Sequence, residues 1–382
     1  MFLGIIRITR VTMFDTIQGF WDLKWAPQKP QYRPLPDHIQ RQFVSSPKGD
    51  LELLISEPKV PNLASPALFF VHGGYGSAGV WLEWMTYLHE AGYGGNLYAY
   101  SARNHGASYT LCLPTMVYGT SLDDIASDLK SCYEYVESQH SSTSNESNIV
   151  FVSHSAGGGL TQYALANNLV RCRALCLLDA VPHFGMLPVY WNWAKADPWF
   201  MLRNFFHWHP SSPLSTPRLV HGRFFGSQFP MSSVQEFMKW MPDYESMGWP
   251  MGQMGAFWAW LNSRPEWLDI RKIVRNITGA ETAEQHDAVC VMVGSQDCLM
   301  DLAMSRQSAA GYRDAFSSDS DVKKLETASE SNSSVESAIE GVTIERAGGV
   351  RLVVVNGAGH HLQNDIQRDA GAEALLQFAR QL

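Results

Sequence analysis

The run Asn148-Ile-Val-Phe-Val-Ser-His-Ser155-Ala-Gly-Gly-Gly-Leu160 changes character in its middle. Its first half is apolar and rich in β-formers, as a buried strand requires, and it ends at Ser153-His154. From Ala156 to Asn168 the chain takes on the character of a helix. Ser155 therefore sits in a sharp turn between strand and helix. Ser153 and Gly157, two positions away on either side, are small enough for that turn. The turn lifts the Ser155 hydroxyl out of the sheet and sets it beside the free N–H groups of the helix N-terminus. The spacing is that of a nucleophile elbow, G-x-S-x-G, with Ser153 in place of the first glycine.

Working outward, strand and helix signals alternate. Two strand-like runs between Gln40 and Glu57 flank Ser46-Pro-Lys-Gly-Asp50, which predicts a hairpin. Ala67-Leu-Phe-Phe-Val71 predicts a buried strand leading into His72-Gly-Gly-Tyr-Gly76. Val80 to Ala91 has helical periodicity, with Trp81, Trp84, Met85 and Leu88 on one side. Asn96–Tyr100 predicts a strand ending in Ser101-Ala-Arg-Asn-His-Gly-Ala-Ser108. Ser121 with Asp124 opens a helix running to about His140. Beyond the elbow, strands are expected at Ala174–Asp179, Ala288–Gly294 and Val350–Val355, then a last helix from Asp365 to Leu382. The alternation implies a mainly parallel sheet covered on both faces.

Two segments break the rhythm. Residues 182–286 carry Trp191, Trp193, Trp199, Trp208, Trp240, Trp249, Trp258, Trp260 and Trp267, with Met interleaved and no sheet-like alternation. They predict a helical cap inserted between core segments 40–181 and 287–382. Residues 316–346 are rich in Ser, Glu and Asp and predict a disordered loop, because they hold too little apolar surface to order themselves. Residues 1–39 predict an irregular arm over the domain.

A serine hydroxyl needs a base within hydrogen-bond reach, and that base needs an acid to orient it. His360, in Asn356-Gly-Ala-Gly-His-His361 after the final strand, is the candidate base. Its neighbour His361 is read as a packing or lid contact. Asp297, just past the end of a strand in Gly294-Ser-Gln-Asp, is the candidate acid. Asp179 competes with it, although turn or capping chemistry also accounts for Asp179. The order Ser155, Asp297, His360 is Ser…Asp…His, and all three fall where open α/β sheets bind ligands. Candidate oxyanion donors are the Ala156 amide and, from the glycine-rich loop, that of Gly74 or next Tyr75. His105 and His154 are read as hydrogen-bonded structural histidines.

On these motifs the chain resembles the α/β-hydrolase superfamily, as a lidded serine hydrolase of lysophospholipase or esterase type. The matches are His72-Gly73-Gly74, the elbow around Ser155, Asp297 and Gly359-His360. Arg103-Asn-His-Gly-Ala-Ser108 is similar to an R-G-H-G-x-S segment, with Asn104 for glycine and Ser101 where an aspartate is usual. The resemblance implies an eight-stranded, mostly parallel sheet, helices on both faces and a lid. It further implies hydrolysis of an ester or thioester of an apolar acyl or polyketide-like substrate through an acyl-enzyme, without metal or organic cofactor. A serine at the elbow, where aspartate would stand, argues against an epoxide hydrolase or haloalkane dehalogenase. A non-hydrolytic or C–C bond cleaving enzyme on the same scaffold, and a ligand-binding pseudoenzyme, stay open as alternatives.

The bulk composition narrows the partners. Hydrophobic residues at 45% and charged residues at 17% suffice for a large core in 382 residues. A net charge of -8 without a basic stripe argues against nucleic acid. The six cysteines form no C-x-x-C pair, which suits a reducing compartment and no zinc site. No apolar run is long enough for a transmembrane segment, so a cytoplasmic enzyme acting on an apolar small molecule is expected. The Arg-containing N-terminus, with Met13 as an alternative start, and the final Arg-Gln-Leu leave mitochondrial and peroxisomal addresses open.

Overall fold

The computed structural model describes residues 13–140, 147–255, 267–282, 286–319, 334–336 and 339–382. Its strands are β1 (Gln40–Ser46), β2 (Gly49–Ser56), β3 (Ala67–Val71), β4 (Leu97–Tyr100), β5 (Ile149–His154), β6 (Ala174–Leu178), β7 (Val289–Gly294), β8 (Ser334–Glu336), β9 (Val342–Ala347) and β10 (Val350–Val355). The helices of the first half are α1 (Met13–Asp22), α2 (Leu82–Glu90), α3 (Leu113–Gly119), α4 (Leu122–His140) and α5 (Ser155–Ala166). Between β6 and β7 come α6 (Leu187–Ala196), α7 (Phe200–His207), α8 (Pro217–Phe224), α9 (Met231–Met238), α10 (Gly248–Gly252) and α11 (Ile270–Val274). The chain closes with α12 (Leu302–Asp319) and α13 (Arg368–Arg380).

All ten strands join one sheet in the order β1-β2-β4-β3-β5-β6-β7-β10-β9-β8. The six from β4 to β10 run parallel. The hairpin β1–β2 and the pair β8–β9 flank them antiparallel. Side chains alternate between two cores, as a strand's period of two requires. Phe69, Phe151 and Leu175 face Leu129 of α4 and Leu160 of α5. Phe70, Val152 and Cys176 face Trp84 of α2 and Leu375 of α13. Both faces of the central strands are buried, which explains their unbroken apolar runs.

The sheet thus has two strands more than expected, and both extra strands correct the reading of 316–346. Within that segment α12 continues to Asp319, β8 covers Ser334–Glu336 and β9 begins at Val342. Val342 and Ile344 bury their side chains in alternation while β9 pairs with β10. The turn between those strands is Gly348-Gly349, with φ of 53° and 73°, values that fit a tight hairpin. Residues 320–333 and 337–338 of the segment lie outside the described residues. Likewise residues 1–12 of the N-terminal arm lie outside them, and the described part of the arm contains α1 before its irregular stretch.

No helix among the described residues is long and apolar enough to cross a membrane. The six cysteines are free thiols.

Candidate active site

The elbow has the expected shape. β5 ends at His154, α5 begins at Ser155, and Ser155 takes a left-handed backbone with φ 52°. Such a φ is uncommon outside glycine and marks local strain. The turn tolerates it because its neighbours are small. A Cβ on Gly157 would stand 2.2 Å from the His72 carbonyl oxygen, and one on Gly73 would stand 2.6 Å from Ser155 Cβ.

Three loops at the ends of β5, β7 and β10 bring the candidate residues together. His360 Nε2 lies 2.9 Å from Ser155 Oγ, and His360 Nδ1 lies 2.8 Å from Asp297 Oδ2. An ionised carboxylate only accepts, so Nδ1 carries the hydrogen and Nε2 is left free to take the serine's. Asp297 is itself fixed, since its Oδ1 accepts the Leu299 and Met300 amides at 2.7 and 3.1 Å. Asp365 steadies the histidine's loop by accepting the Gly359 amide at 2.8 Å and the Gly226 amide at 2.7 Å.

Asp179 lies against Asp297 rather than against His360. Its Oδ1 accepts the Gly294 amide at 2.9 Å. Burial, followed by the neighbouring Asp297 carboxylate, pushes its carboxyl well above the ordinary range. His154 gives its Nε2 hydrogen to the His360 carbonyl oxygen at 2.9 Å. Burial, with His361 and His360 beside it, holds its imidazole well below the usual value. His361 packs on Phe224 and Phe237, and its amide donates to the Phe224 carbonyl at 2.7 Å. His361 therefore faces segment 182–286.

Gly74, Tyr75, Ala156, Ser155 and His360 border one cavity of about 920 Å³. Most of the remaining wall comes from residues 186–254, among them Met186, Val189, Trp193, Phe224, Trp249 and Met254, with Leu299 and Met300 from the core. Gln253 ties this segment to the elbow by donating to the Ala156 carbonyl at 2.9 Å. The Tyr75 amide is already engaged, donating to Glu245 Oε2 at 3.0 Å. Glu245 has no motif around it, so the sequence offered no signal for a carboxylate at this place.

The two departures in the Arg103 turn have local explanations. Asn104 adopts φ 66°, where glycine would be expected. Its side chain donates to Gln28 Oε1 and the Tyr244 carbonyl, and accepts the Leu111 amide. It therefore pins the N-terminal arm and segment 182–286 to the core. Ser101 donates to Glu52 at 2.7 Å, so a carboxylate reaches the turn from β2 instead of from within it. Among the described residues no group of three or more His, Cys, Asp or Glu is arranged to hold a metal ion.

A family model described as "Alpha/beta hydrolase family" matches residues 68–374. No curated protein sequence matches the chain. Solved structures match in fold. An esterase from Exiguobacterium antarcticum is similar at 15% identity, covering 89% of this chain and 100% of its own, with a TM-score of 0.51. The enol-lactonase from Burkholderia xenovorans LB400 is similar at 12% identity, covering 89% and 100%, with a TM-score of 0.51. The haloalkane dehalogenase DatA from Agrobacterium tumefaciens C58 is similar at 12% identity, covering 91% and 98%, with a TM-score of 0.51. Esterases and a dehalogenase on one scaffold illustrate that the chemistry must be argued from the site.

Proposed function

The chain belongs to the alpha/beta hydrolase family, and on that premise we propose that it is a serine hydrolase cleaving an ester or thioester of an apolar acyl substrate. The observation that carries this is the hydrogen-bonded run Asp297–His360–Ser155 opening into an apolar cavity. His360 Nε2 takes the Ser155 proton as Oγ attacks the carbonyl carbon. The Ala156 and Gly74 amides stabilise the resulting oxyanion, while the Tyr75 amide stays with Glu245. The tetrahedral intermediate then collapses, and the imidazolium, oriented by Asp297, protonates the leaving alkoxide or thiolate. Water, deprotonated by His360, repeats the sequence on the acyl-enzyme and restores Ser155.

In this reading residues 182–286 act as a cap over the nucleophile. Trp and Met supply a large, adaptable apolar wall, which suits an acyl chain or a polyketide-like body. The cavity volume falls in the range of small-molecule sites. Rates on p-nitrophenyl esters of increasing acyl length, with acyl-CoAs of matched length beside them, test the reading. The account expects kcat/KM to rise with chain length and to vanish in S155A. A flat response across lengths contradicts the apolar cap pocket, and full activity in S155A contradicts the serine mechanism.

A further inference from the structure

Among the described residues lining the cavity, Glu245 brings the only carboxylate. The walls around it are methionine, tryptophan, proline and leucine, where a lone carboxylate is costly to bury. Two partners hold it. Its Oε2 accepts the Tyr75 amide at 3.0 Å, and its Oε1 lies 3.2 Å from His105 Nε2. His105 Nδ1 lies 2.7 Å from the Arg103 carbonyl oxygen, which only accepts, so Nδ1 carries a hydrogen. His105 Nε2 thus faces Glu245 Oε1 at hydrogen-bond distance.

Glu245 keeps acceptor capacity that its two partners do not use. Its place is close to the reacting atoms. A Cβ on Gly73 would touch Ser155 Cβ at 2.6 Å, and a Cβ on the next residue, Gly74, would stand 3.2 Å from Glu245 Oε2. The carboxylate is therefore one residue along the same loop from the nucleophile, on the side of the proposed oxyanion donors. We propose that Glu245 is a specificity-determining residue that accepts a hydrogen bond from a hydroxyl on the acyl carbons next to the scissile carbonyl. The substrate class is then a hydroxyacyl ester or thioester with an apolar remainder. This rests on the serine-hydrolase reading above. An acidic group at the same place is disfavoured, because it would set a second set of acceptor lone pairs against Glu245.

The test compares p-nitrophenyl hexanoate with p-nitrophenyl 2-hydroxy- and 3-hydroxyhexanoate in wild type, E245Q and E245L. Glutamine keeps the volume, can still accept from the Tyr75 amide, and can donate to a neutral His105 ring. In wild type, kcat/KM for one hydroxy ester should exceed that for the plain ester by about tenfold or more, because a site built around a hydroxyl rejects its absence. In E245Q the ratio should fall below about threefold, since the carboxamide has one acceptor oxygen, already taken by the Tyr75 amide, where the carboxyl has two, and in E245L it should approach one. A wild-type ratio near one overturns the inference. So does a loss in E245Q that is equal for plain and hydroxy esters, which is what a purely structural role would give. Labelling of Ser155 by a fluorophosphonate separates the two levels. An adduct with no hydroxyl preference removes this inference alone, whereas no adduct and no Ser155-dependent turnover of any ester removes the hydrolase reading with it.

Discussion

Asp179 and Asp297 lie side by side, yet only Asp297 faces His360. The D297N change leaves the imidazole without its acceptor and favours the wrong tautomer, so kcat should fall by about 10⁴. The D179N change replaces a carboxyl that burial pushes toward its neutral form. Its amide oxygen can still accept the Gly294 hydrogen, so kcat should stay within about tenfold of wild type. Steady-state rates on a single ester check both, and equal losses in the two variants would contradict the assignment of the acid. The sequence favours Asp297 over Asp179, although both follow strand ends. In the structure Asp297 Oδ1 is held by two amides, which aims Oδ2 at the ring. Glu245 was not legible at all, since nothing in its neighbours Asp243 to Ser246 announces that it folds back onto the loop at Gly74.

At the scale of elements, the elbow depends on β3 and β5 lying so close that only glycine fits at 157. The G157A change should destabilise the protein by about 3 kcal/mol or more, because the clash is with the backbone of His72 rather than with a side chain that can move. Thermal unfolding checks this, and an unchanged Tm would show that the turn is looser than described. The D365A change frees the amides of Gly226 and Gly359 together. It should lower kcat more than it raises KM, because the loop carrying His360 loses its anchor. The core elements were readable because parallel strands buried on both faces leave continuous apolar runs, and α4 leaves a helical stripe through Leu122, Ile125, Leu129 and Val136. β9 was hidden inside a polar stretch. Only two of its residues, Val342 and Ile344, are buried, and its clearest signal is the Gly348-Gly349 hairpin turn that follows.

Across the whole molecule, several imidazoles are buried in the neutral form. Burial holds His361 down to about 3 and His183 down to about 4, and holds His72 and His154 well below the usual value. An unfolded chain binds protons on these rings as pH drops below about 6.5, while the folded chain does not. Their contribution to stability is therefore complete above about 6.5 and is lost progressively as pH falls toward 3–4. Each ring contributes a slope of up to about 1.4 kcal/mol per pH unit in that window. Melting temperatures measured from pH 7.5 to 4.5 should fall steeply below 6.5, and less steeply in H183Q; a flat profile would contradict the buried neutral rings. The same fold that hides these histidines leaves His360 bordering the cavity, with its Nε2 2.9 Å from Ser155 Oγ. The most direct measurement is the rate of fluorophosphonate modification, followed by intact mass and peptide mapping, in folded wild type, S155A and H360A. The account predicts a single adduct on Ser155, none in S155A, and modification slowed by orders of magnitude in H360A. An unmodified Ser155 in folded wild type, or equal rates with and without His360, would contradict it.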